Sequence, residues 1–345
     1  MANETILAAM SGGVDSAVAT HLLQQAGCTV MGGTLWLRDG GEDEVNDARA
    51  VADRLGVAHH VFDLRGEFEA LVIRPFIEAY ERGETPNPCV ICNRTVKFGL
   101  LLERARALGC DGIATGHYVR REQTPSGRWL LRRAADAHKD QSYVLYSLSQ
   151  EQLSRSRFPL GELTKAEVRE IAEAEGFINA RKRDSQDICF IPDGDYGAFL
   201  ERAHGGPYPT GEFRTLDGEV KGHHRGLIHY TIGQRKGLGL ALPAPLYVCA
   251  KNTADNSVIL SDNASLFTRS LTARAINFLP FDRLERPMRL LAKVRYAQAA
   301  QWATVEQIGD DRVHVEFDEP QRAIAAGQAV VFYEDDYLVG GGTIE

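Results

Sequence analysis

The chain has 345 residues, of which 44% are hydrophobic and 25% are charged, proportions typical of a globular protein. No apolar run reaches the roughly 20 residues of a membrane-spanning helix, which argues against a membrane partner. The net charge of −8, from 39 basic and 47 acidic side chains, argues on average against a nucleic-acid partner. The N-terminal residues lack the pattern of a secretory signal, so we expect a cytosolic (cytoplasmic) protein.

The first part of the chain alternates short apolar runs with helical patterns. Residues 6–10 (ILAAM) are typical of a buried parallel strand, SGGVDS follows, and helical periodicity then continues to a stop at Gly27. Two further strand patterns, CTVMGGTLWL and HHVFDL, flank a helix through Val45 and Leu55. This order predicts an α/β domain over residues 1–200, with a doubly wound parallel sheet and helices on both faces.

Helical patterns continue over 68–80 and 96–105, and Thr164 with Glu167 forms a capping box for a helix ending near Gly176. From Gly205 onward, Gly, Pro and Thr separate short strand patterns. The predicted strands are RGLIHYTIGQ, LYVCAK, SVILS, MRLLAKVRYA, WATVEQI, RVHVEF, QAVVFY and LVGGGTI. We expect two small β-rich domains, one over 201–266 and a final β-barrel over 267–345.

SGGVDS joins the first predicted strand to a helix N-terminus. Gly12 and Gly13 permit a tight turn, and the N–H groups of the helix end form an anion site. The loop lacks the Gly-Lys-Ser/Thr ending of a Walker A loop. Asp15 fits a phosphate site if it holds Mg²⁺, while Ser11 and Ser16 donate to phosphate oxygens. An ordinary capped turn would explain a lone Gly-Gly pair, but the full pattern favours phosphate.

Cysteines give a second clue, because paired cysteines in a reducing cytosol indicate metal binding or catalysis. Three lie in or beside apolar segments and should be buried: Cys28, Cys110 and Cys249. Cys89 and Cys92 form a C-x-x-C pair within TPNPCVICN, and Cys189 stands apart. Residues 220–254 contain five lysines and arginines and no acidic side chain, which suits either a local RNA surface or a solvated basic loop.

S-G-G-x-D-S resembles the signature of the PP-loop ATP pyrophosphatases, whose fold is adenine nucleotide alpha hydrolase-like. The resemblance implies that ATP is split into AMP and pyrophosphate, with AMP attached to a carbonyl-type oxygen and then displaced. The displacing atom in that superfamily is nitrogen or sulfur. We find no glutaminase signature, and three cysteines outside predicted core strands favour sulfur.

Nearly the whole chain resembles the tRNA-specific 2-thiouridylase family. The matching segments, in family order, are AMSGGVDSAVA, TPNPCVICNRTVKF, ATGHY, KDQSYVLY, DSQDICFI, HYTIGQRKGLG, LYVCAKN, VRYAQ, GQAVVFY and GGGTI. The resemblance implies a tRNA-uridine 2-sulfurtransferase that uses ATP and Mg²⁺ to replace the C2 oxygen of the wobble uridine, position 34, with sulfur. It also implies a tRNA partner, contacted in part by the central domain, and an upstream sulfur donor or persulfide relay protein.

The resemblance assigns residues by position. The implied ATP site comprises Ala9, Met10, Ser11, Gly12, Gly13, Val14, Asp15, Ser16, Leu35 and Gly116, with Leu35 in place of the family's usual methionine. The implied tRNA contacts are Asn87, Pro88, Cys89, His117, Lys139, Asp140, Gln141, Arg295, Tyr296 and Gln328. Ordinary structural roles stay open for several of these: a core histidine at 117, a turn at 139–143 and an edge-strand pair at 295–296. Basic residues 181–183 are either a solvated face or a phosphate contact.

Cys92 matches the family nucleophile and Cys189 the cysteine that carries the persulfide. The implied chemistry is adenylation of the uridine oxygen, attack of Cys92 on the Cys189 persulfide, release of sulfide, and a Cys92–Cys189 disulfide that must be reduced. Lys97 and nearby arginines would lower a thiol pKa.

Cys89 departs from the family pattern, which has Asp in its D-x-x-C. Cys89, Cys92 and Cys189 could therefore hold a [4Fe–4S] cluster, or Cys89 could shield Cys92 through a reversible disulfide. A zinc site would need a fourth ligand, and no second C-x-x-C is present. The alternative functions are a PP-loop tRNA-modifying enzyme with a nitrogen nucleophile and a non-catalytic tRNA-binding protein.

Overall fold

The computed structural model describes residues 3–177, 188–241 and 243–345. In these ranges, no helix is both long and apolar enough to cross a membrane.

Five parallel strands form the N-terminal sheet, in the order β3-β2-β1-β4-β7. Their bounds are β1 Thr5–Ala9, β2 Thr29–Trp36, β3 Ala58–Asp63, β4 Gly112–Ala114 and β7 Ser156–Arg157. The chain runs outward from β1 in both directions, so the connections reverse between β1 and β4. In such sheets the ligand crevice lies at the carboxyl ends of the strands that flank this reversal.

Helices cover both faces of the sheet, as predicted. Ile6 and Ala8 pack with Leu23 of helix α1 (Val14–Gln25) on one face, whereas Leu7 packs with Leu101 of helix α6 (Leu101–Ala107) on the other. The remaining helices in the first 177 residues are α2 Glu42–Leu55, α3 Arg65–Phe68, α4 Arg74–Glu81, α5 Pro88–Cys92, α6 Leu101–Ala107, α7 Gln150–Ser154 and α8 Lys165–Ala174. The capping box predicted at Thr164 is present and begins α8.

Two helical rods contain π-helical stretches that the sequence does not indicate. Residues 69–73 join α3 to α4, and residues 93–100 join α5 to α6, with right-handed helical backbone at each junction. Residues 88–107 thus form one continuous rod that begins with the C-x-x-C pair. π-Helical turns are rare and occur mostly at functional sites.

A four-stranded sheet follows, in the order β10-β11-β8-β9. Its strands are β8 Gly211–Thr215, β9 Val220–His224, β10 Tyr247–Asn252 and β11 Ser257–Ser261, and helix α9 (Tyr196–His204) precedes it. The strands β8 and β9 were not predicted. The strand predicted over 225–234 is wrong: the chain makes a 3-10 turn at Leu227–His229, after Gly226 adopts a φ of +121°.

The C-terminal part is the predicted β-barrel. Six antiparallel strands follow the order β12-β15-β14-β13-β16-β17, and pairing of β12 with β17 closes the barrel. Their bounds are β12 Phe267–Phe278, β13 Met288–Lys293, β14 Gln301–Gln307, β15 Val313–Arg322, β16 Ala329–Glu334 and β17 Tyr337–Ile344. A hairpin from the N-terminal part, β5 Arg120–Gln123 with β6 Trp129–Arg132, pairs with β17 and ties the two parts together.

Candidate active site

The loop between β1 and α1 is a tight turn held by its own side chains. The Ser16 hydroxyl donates to the Gly13 carbonyl at 2.9 Å and accepts from the Ser11 N–H at 3.2 Å. Gly12 has a φ of +70°, and a Cβ there would lie 2.7 Å from the Glu44 carbonyl oxygen, so the position requires glycine. In the described part of the chain, no side chain caps the N-terminus of α1, which therefore suits an anion such as phosphate.

The Asp15 carboxylate is paired with a lysine from a distant part of the chain, since the phosphate loop contains no lysine of its own. The Lys165 ammonium, at the start of α8, lies 2.7 and 2.9 Å from the two Asp15 oxygens. The Tyr118 hydroxyl donates to the same carboxylate at 2.8 Å. Both Asp15 oxygens are thus engaged within the protein, and Mg²⁺ would have to share or displace these partners. The Mg²⁺ role of Asp15 stays a prediction.

Gly116 lies directly against this loop. A Cβ on Gly116 would be 2.9 Å from the Asp15 carbonyl carbon and 3.0 Å from the Ser16 nitrogen, so a side chain would displace the turn. Leu35 is half-buried on β2, the neighbour of β1. The structure therefore brings Gly116 to the phosphate loop and Leu35 to the adjacent strand; their contact with adenosine stays a prediction.

Cys89 and Cys92 lie one turn apart at the start of the 88–107 rod. Asn87 is the N-cap, and its Oδ1 accepts from the Cys89 N–H at 3.2 Å. Pro88 occupies the first helical position, where its missing N–H leaves no hydrogen bond unmade. Cys92 is only 7% exposed, whereas Cys89 and Cys189 are exposed, and all three are free cysteines.

The three thiols share one electrostatic environment with Lys97. Burial raises the pKa of Cys92 to about 12, the Lys97 ammonium opposes that rise, and thiolate charge on Cys189 or Cys89 adds to it. Crowding by surrounding atoms also raises the pKa of Cys89 and of Cys189, and Lys97 again opposes both. In the free protein Cys92 is therefore a neutral thiol, which must lose its proton before it can attack.

Cys189 is held beside Cys92 by its chain neighbours. Phe190 and Ile191 are 8% and 1% exposed and belong to the same hydrophobic cluster as Cys92. The segment that carries Cys189 is therefore anchored on the face of the protein where the C-x-x-C pair lies. The basic residues 181–183 lie outside the described residues.

Residues 115–118 lie between the phosphate loop and the cysteine rod. Two of them contact the loop, as described above. His117 Nδ1 hydrogen-bonds the Thr115 hydroxyl at 2.8 Å, and its ring centroid lies 5.7 Å from that of Phe98 in the rod. Burial, with the Lys97 ammonium as the second cause, holds the pKa of His117 well below its usual value, so the ring is neutral. It is placed as a core histidine, and a tRNA contact through it stays a prediction.

No preformed metal centre is present in residues 3–177, 188–241 and 243–345: no three His, Cys, Asp or Glu side chains are arranged to hold one ion. Cys89, Cys92 and Cys189 are neighbours without the geometry of a cluster site. A [4Fe–4S] cluster on them would require the thiols to converge further, and it stays a prediction.

One of the predicted tRNA contacts, Tyr296, is exposed near the cysteines. Tyr296, just after β13, is 46% exposed, and its hydroxyl donates to the Asp140 carbonyl at 3.0 Å. Cys89 is close enough for its charge to raise the pKa of Tyr296, after burial and Asp140. The Lys293 ammonium lies 5.8 Å from the centre of the Tyr296 ring. An exposed aromatic ring with a lysine beside it suits a stacked base and its phosphate.

Other predicted tRNA contacts are engaged inside the protein. The Asp140 carboxylate accepts from the Ser142 hydroxyl at 2.8 Å, and Gln141 Oε1 accepts from the Tyr118 N–H at 2.9 Å. Lys139 is half-buried beside them. Asp140 fixes its own turn and Gln141 holds that turn against Tyr118, and a tRNA contact through residues 139–141 stays a prediction.

Arg295 and Gln328 connect parts of the fold. The Arg295 guanidinium donates to the Ala323 carbonyl at 2.6 Å, and Gln328 Nε2 donates to the Thr85 carbonyl at 2.8 Å. Gln328 thereby holds the TPNP loop on the C-terminal barrel. In the basic stretch at 220–254, the Lys251 ammonium is buried, whereas Arg225, Arg235 and Lys236 are exposed.

Sequence reasoning missed Lys165, Tyr118 and Lys293. The Thr164 capping box correctly predicts where α8 begins, but no local signal shows that its first residue reaches Asp15, 150 positions away. Tyr118 is the last residue of the ATGHY segment, residues 114–118. A polar residue at the end of a strand beside the phosphate loop is the signal that would have singled it out.

Comparisons with known proteins agree with this geometry. Three family models match in series: a tRNA methyl transferase HUP domain at 4–193, a tRNA methyl transferase PRC-barrel domain at 198–262 and an aminomethyltransferase β-barrel domain at 268–344. Among curated relatives, the tRNA-specific 2-thiouridylase MnmA of Symbiobacterium thermophilum is 48% identical, over 99% of this chain and 92% of its own length. The protein of the same name from Lachnoclostridium phytofermentans is 44% identical, over 98% and 99%. That from Carboxydothermus hydrogenoformans is 48% identical, over 99% and 97%. By descent and architecture, this chain belongs to the tRNA-specific 2-thiouridylase family.

Proposed function

We propose that the protein catalyses the ATP-dependent 2-thiolation of uridine 34 in tRNA. The uridine O2 attacks the α-phosphorus of ATP, pyrophosphate leaves, and sulfur then displaces AMP at C2. The tRNA and an upstream persulfide donor are its partners. We propose three domains, 1–200 for catalysis, 201–266 for part of the tRNA contact and 267–345 as the C-terminal barrel.

The phosphate loop performs the adenylation. The Ser11 and Ser16 hydroxyls and the N-terminus of α1 bind phosphate oxygens, and Lys165 adds a cation beside them. Because the Lys165 side chain is 8% exposed, its charge acts on the loop with little screening by water. Asp15 is the residue that would hold Mg²⁺, and the ion would neutralise further phosphate charge.

Sulfur transfer belongs to the two family cysteines. Cys189, which is exposed, accepts the persulfide from the donor. The Cys92 thiolate attacks the inner sulfur, a Cys92–Cys189 disulfide forms, and sulfide leaves toward the adenylated carbon. Lys97 favours the thiolate of Cys92, and burial keeps that thiol protonated until the substrates are in place.

One observation carries the proposal: Cys92 and the chain neighbours of Cys189 share a hydrophobic cluster, and residues 115–118 connect the phosphate loop with the cysteine rod. Cys92 and the neighbours of Cys189 pack together, and residues 115–118 contact both the loop and the cysteine rod. This packing supports a reaction in which an ATP-activated base and a sulfur carrier meet on one side of the sheet.

The test separates adenylation from sulfur transfer. Purified protein is given ATP, Mg²⁺, a tRNA with uridine 34 and a small-molecule persulfide, and the digested tRNA is analysed by mass spectrometry. Cys92→Ser and Cys189→Ser should retain tRNA-dependent ATP–pyrophosphate exchange but form no 2-thiouridine, whereas Cys249→Ser behaves as wild type. A nitrogen-containing product, or the absence of tRNA-dependent exchange in wild type, would refute the proposal.

A second sulfur route, through a [4Fe–4S] cluster on Cys89, Cys92 and Cys189, is favoured only by the presence of a third thiol. The described thiols are not arranged around one ion, so we derive no step through a cluster. Anaerobic purification with iron and sulfide analysis tests this route. Iron-free protein that thiolates tRNA at the full rate from a persulfide would eliminate it.

A further inference from the structure

The C-x-x-C pair contains one thiol that the reaction above does not use. Cys89 is exposed and lies one helical turn before the buried Cys92. It is also close enough to Cys189 for its charge to raise the pKa of that thiol, after burial. Residues three apart in a helix have Cα atoms about 5 Å apart, inside the range of roughly 4.4–6.8 Å that a disulfide spans. The backbone of α5 therefore already permits a Cys89–Cys92 bond.

The Cys92–Cys189 disulfide must be opened after each turnover, and Cys89 is placed to do this. Cys92 is 7% exposed, so a reductant from solution has little access to its sulfur and would have to attack the exposed Cys189 sulfur instead. Tyr296 lies close to Cys89, and bound tRNA would cover this region. Cys189 cannot accept another persulfide while its sulfur is tied to Cys92. A thiol within the same helix reaches Cys92 without entering from solution.

We propose that Cys89 is the resolving cysteine of the catalytic cycle, taking Cys92 from its disulfide with Cys189. This role rests on the proposed persulfide route. The Cys89 thiolate attacks the Cys92 sulfur, the Cys92–Cys189 bond breaks, and its electron pair leaves on Cys189. One disulfide replaces another with no net oxidation, and the Cys89 proton passes to solvent or to the released Cys189 thiolate.

The exchange moves the oxidised pair to the surface and frees Cys189 for the next persulfide. An external dithiol then reduces the Cys89–Cys92 disulfide, which requires the same two electrons as the original one. Two features assist the attack by Cys89: its place in the first turn of a long helical rod and the Lys97 ammonium nearby. Aspartate at this position cannot perform the step, because a carboxylate forms no disulfide.

Trypsin cleavage allows the two possible disulfides to be distinguished by mass spectrometry. No lysine or arginine lies between Arg82 and Arg94, so one peptide, 83–94, carries both Cys89 and Cys92, while Cys189 falls in peptide 184–202. The protein is loaded with persulfide and allowed one round of thiolation on excess tRNA without reductant. It is then quenched in acid, alkylated and digested, and both disulfide forms are normalised to the 2-thiouridine formed in the same sample.

Wild type should contain mainly the internal disulfide of peptide 83–94, with Cys189 alkylated. Cys89→Ser and Cys89→Asp should instead give peptides 83–94 and 184–202 cross-linked through Cys92 and Cys189. Cys249→Ser, which removes a thiol from β10, should match wild type. Normalisation to product makes the comparison independent of any change in tRNA affinity.

Three results would overturn the role of Cys89. They are a cross-linked pair in wild type with Cys89 alkylated, an unchanged disulfide pattern in Cys89→Ser, and 2-thiouridine formed without either disulfide. Failure of the proposed function looks different, because no variant and no wild-type sample would then contain 2-thiouridine at all.

Discussion

Cys92 in the free protein should react with an alkylating agent far more slowly than the same cysteine in a peptide. A pKa of about 12, against 9.0 for an ordinary thiol, lowers the thiolate fraction near neutral pH by about a thousandfold. The more basic thiolate is intrinsically more nucleophilic, and a Brønsted slope of ~0.45 restores about twentyfold. We therefore expect alkylation about 50-fold slower than in a synthetic peptide of residues 83–94, before any steric protection.

The assay is a timed pulse of isotope-coded iodoacetamide between about pH 7 and pH 10, followed by peptide mass spectrometry. The Cys92 rate should rise about tenfold per pH unit throughout, because its pKa lies above the range. Lys97→Met should slow Cys92 further, since the ammonium opposes the effect of burial. Cys110, whose pKa is raised by burial and by Asp111, serves as an internal control and should not change. A Cys92 rate close to that of the peptide, or a plateau near pH 9, would refute the reasoning.

Three further variants probe the loop and the domain junction. Lys165→Met should lower tRNA-dependent AMP formation by on the order of 100-fold, because Asp15 and the phosphates lose their shared cation, and Lys165→Arg should recover part of it. Gly116→Ala should raise the KM for ATP about tenfold by displacing the loop, whereas Gly66→Ala, with no neighbour within 4 Å, should leave it unchanged. Lys251→Met should raise the free energy of unfolding at pH 7 by up to about 3 kcal/mol, because burial lowers the pKa of Lys251 from 10.5 to about 8.

The pH dependence of the Lys251 effect has a definite sign. Between pH 8 and 10.5 the unfolded chain holds a proton on Lys251 that the folded chain has lost, so stability of wild type rises with pH across this window. The advantage of Lys251→Met should therefore shrink from pH 8 and vanish above pH 10.5, as followed by urea unfolding. An equal effect of Lys251→Met at pH 7 and pH 10.5 would contradict this account.

The loop geometry would be contradicted if Lys165→Met formed AMP at the wild-type rate. Equal KM values for ATP in Gly116→Ala and Gly66→Ala would contradict it as well.

The sequence predicted those elements whose structure depends on residues that are close together in the chain. The apolar run of β1, the glycine turn after it and the capping box before α8 each depend on neighbours within a few residues, and each is present as predicted. Five of the six barrel strands, β13 to β17, follow from their short alternating patterns and turn residues, whereas β12 was not predicted. The strand predicted around Leu227 failed because Gly226 turns the chain with a positive φ before a ladder can form.

Contacts between segments that are far apart in the sequence could not be predicted from local sequence patterns. Lys165 reaches Asp15 only because α8 packs against α1, and Asp140 uses its carboxylate on its own turn rather than presenting it to solvent. The π-helical stretch after Cys92 has no periodicity that distinguishes it from an ordinary helix. The mutual approach of Cys92 and Cys189 was implied by family resemblance, and the shared cluster of Phe190, Ile191 and Cys92 gives it a physical basis.

The origin of the AMP oxygen tests the central claim most directly. A tRNA whose uridine 34 carries ¹⁸O at C2 is thiolated with unlabelled ATP, and the AMP released is analysed by mass spectrometry. Adenylation of the uridine oxygen predicts one ¹⁸O in the phosphate of each AMP and one AMP for each 2-thiouridine formed. Unlabelled AMP, with ¹⁸O released as water or retained in the tRNA, would contradict the account.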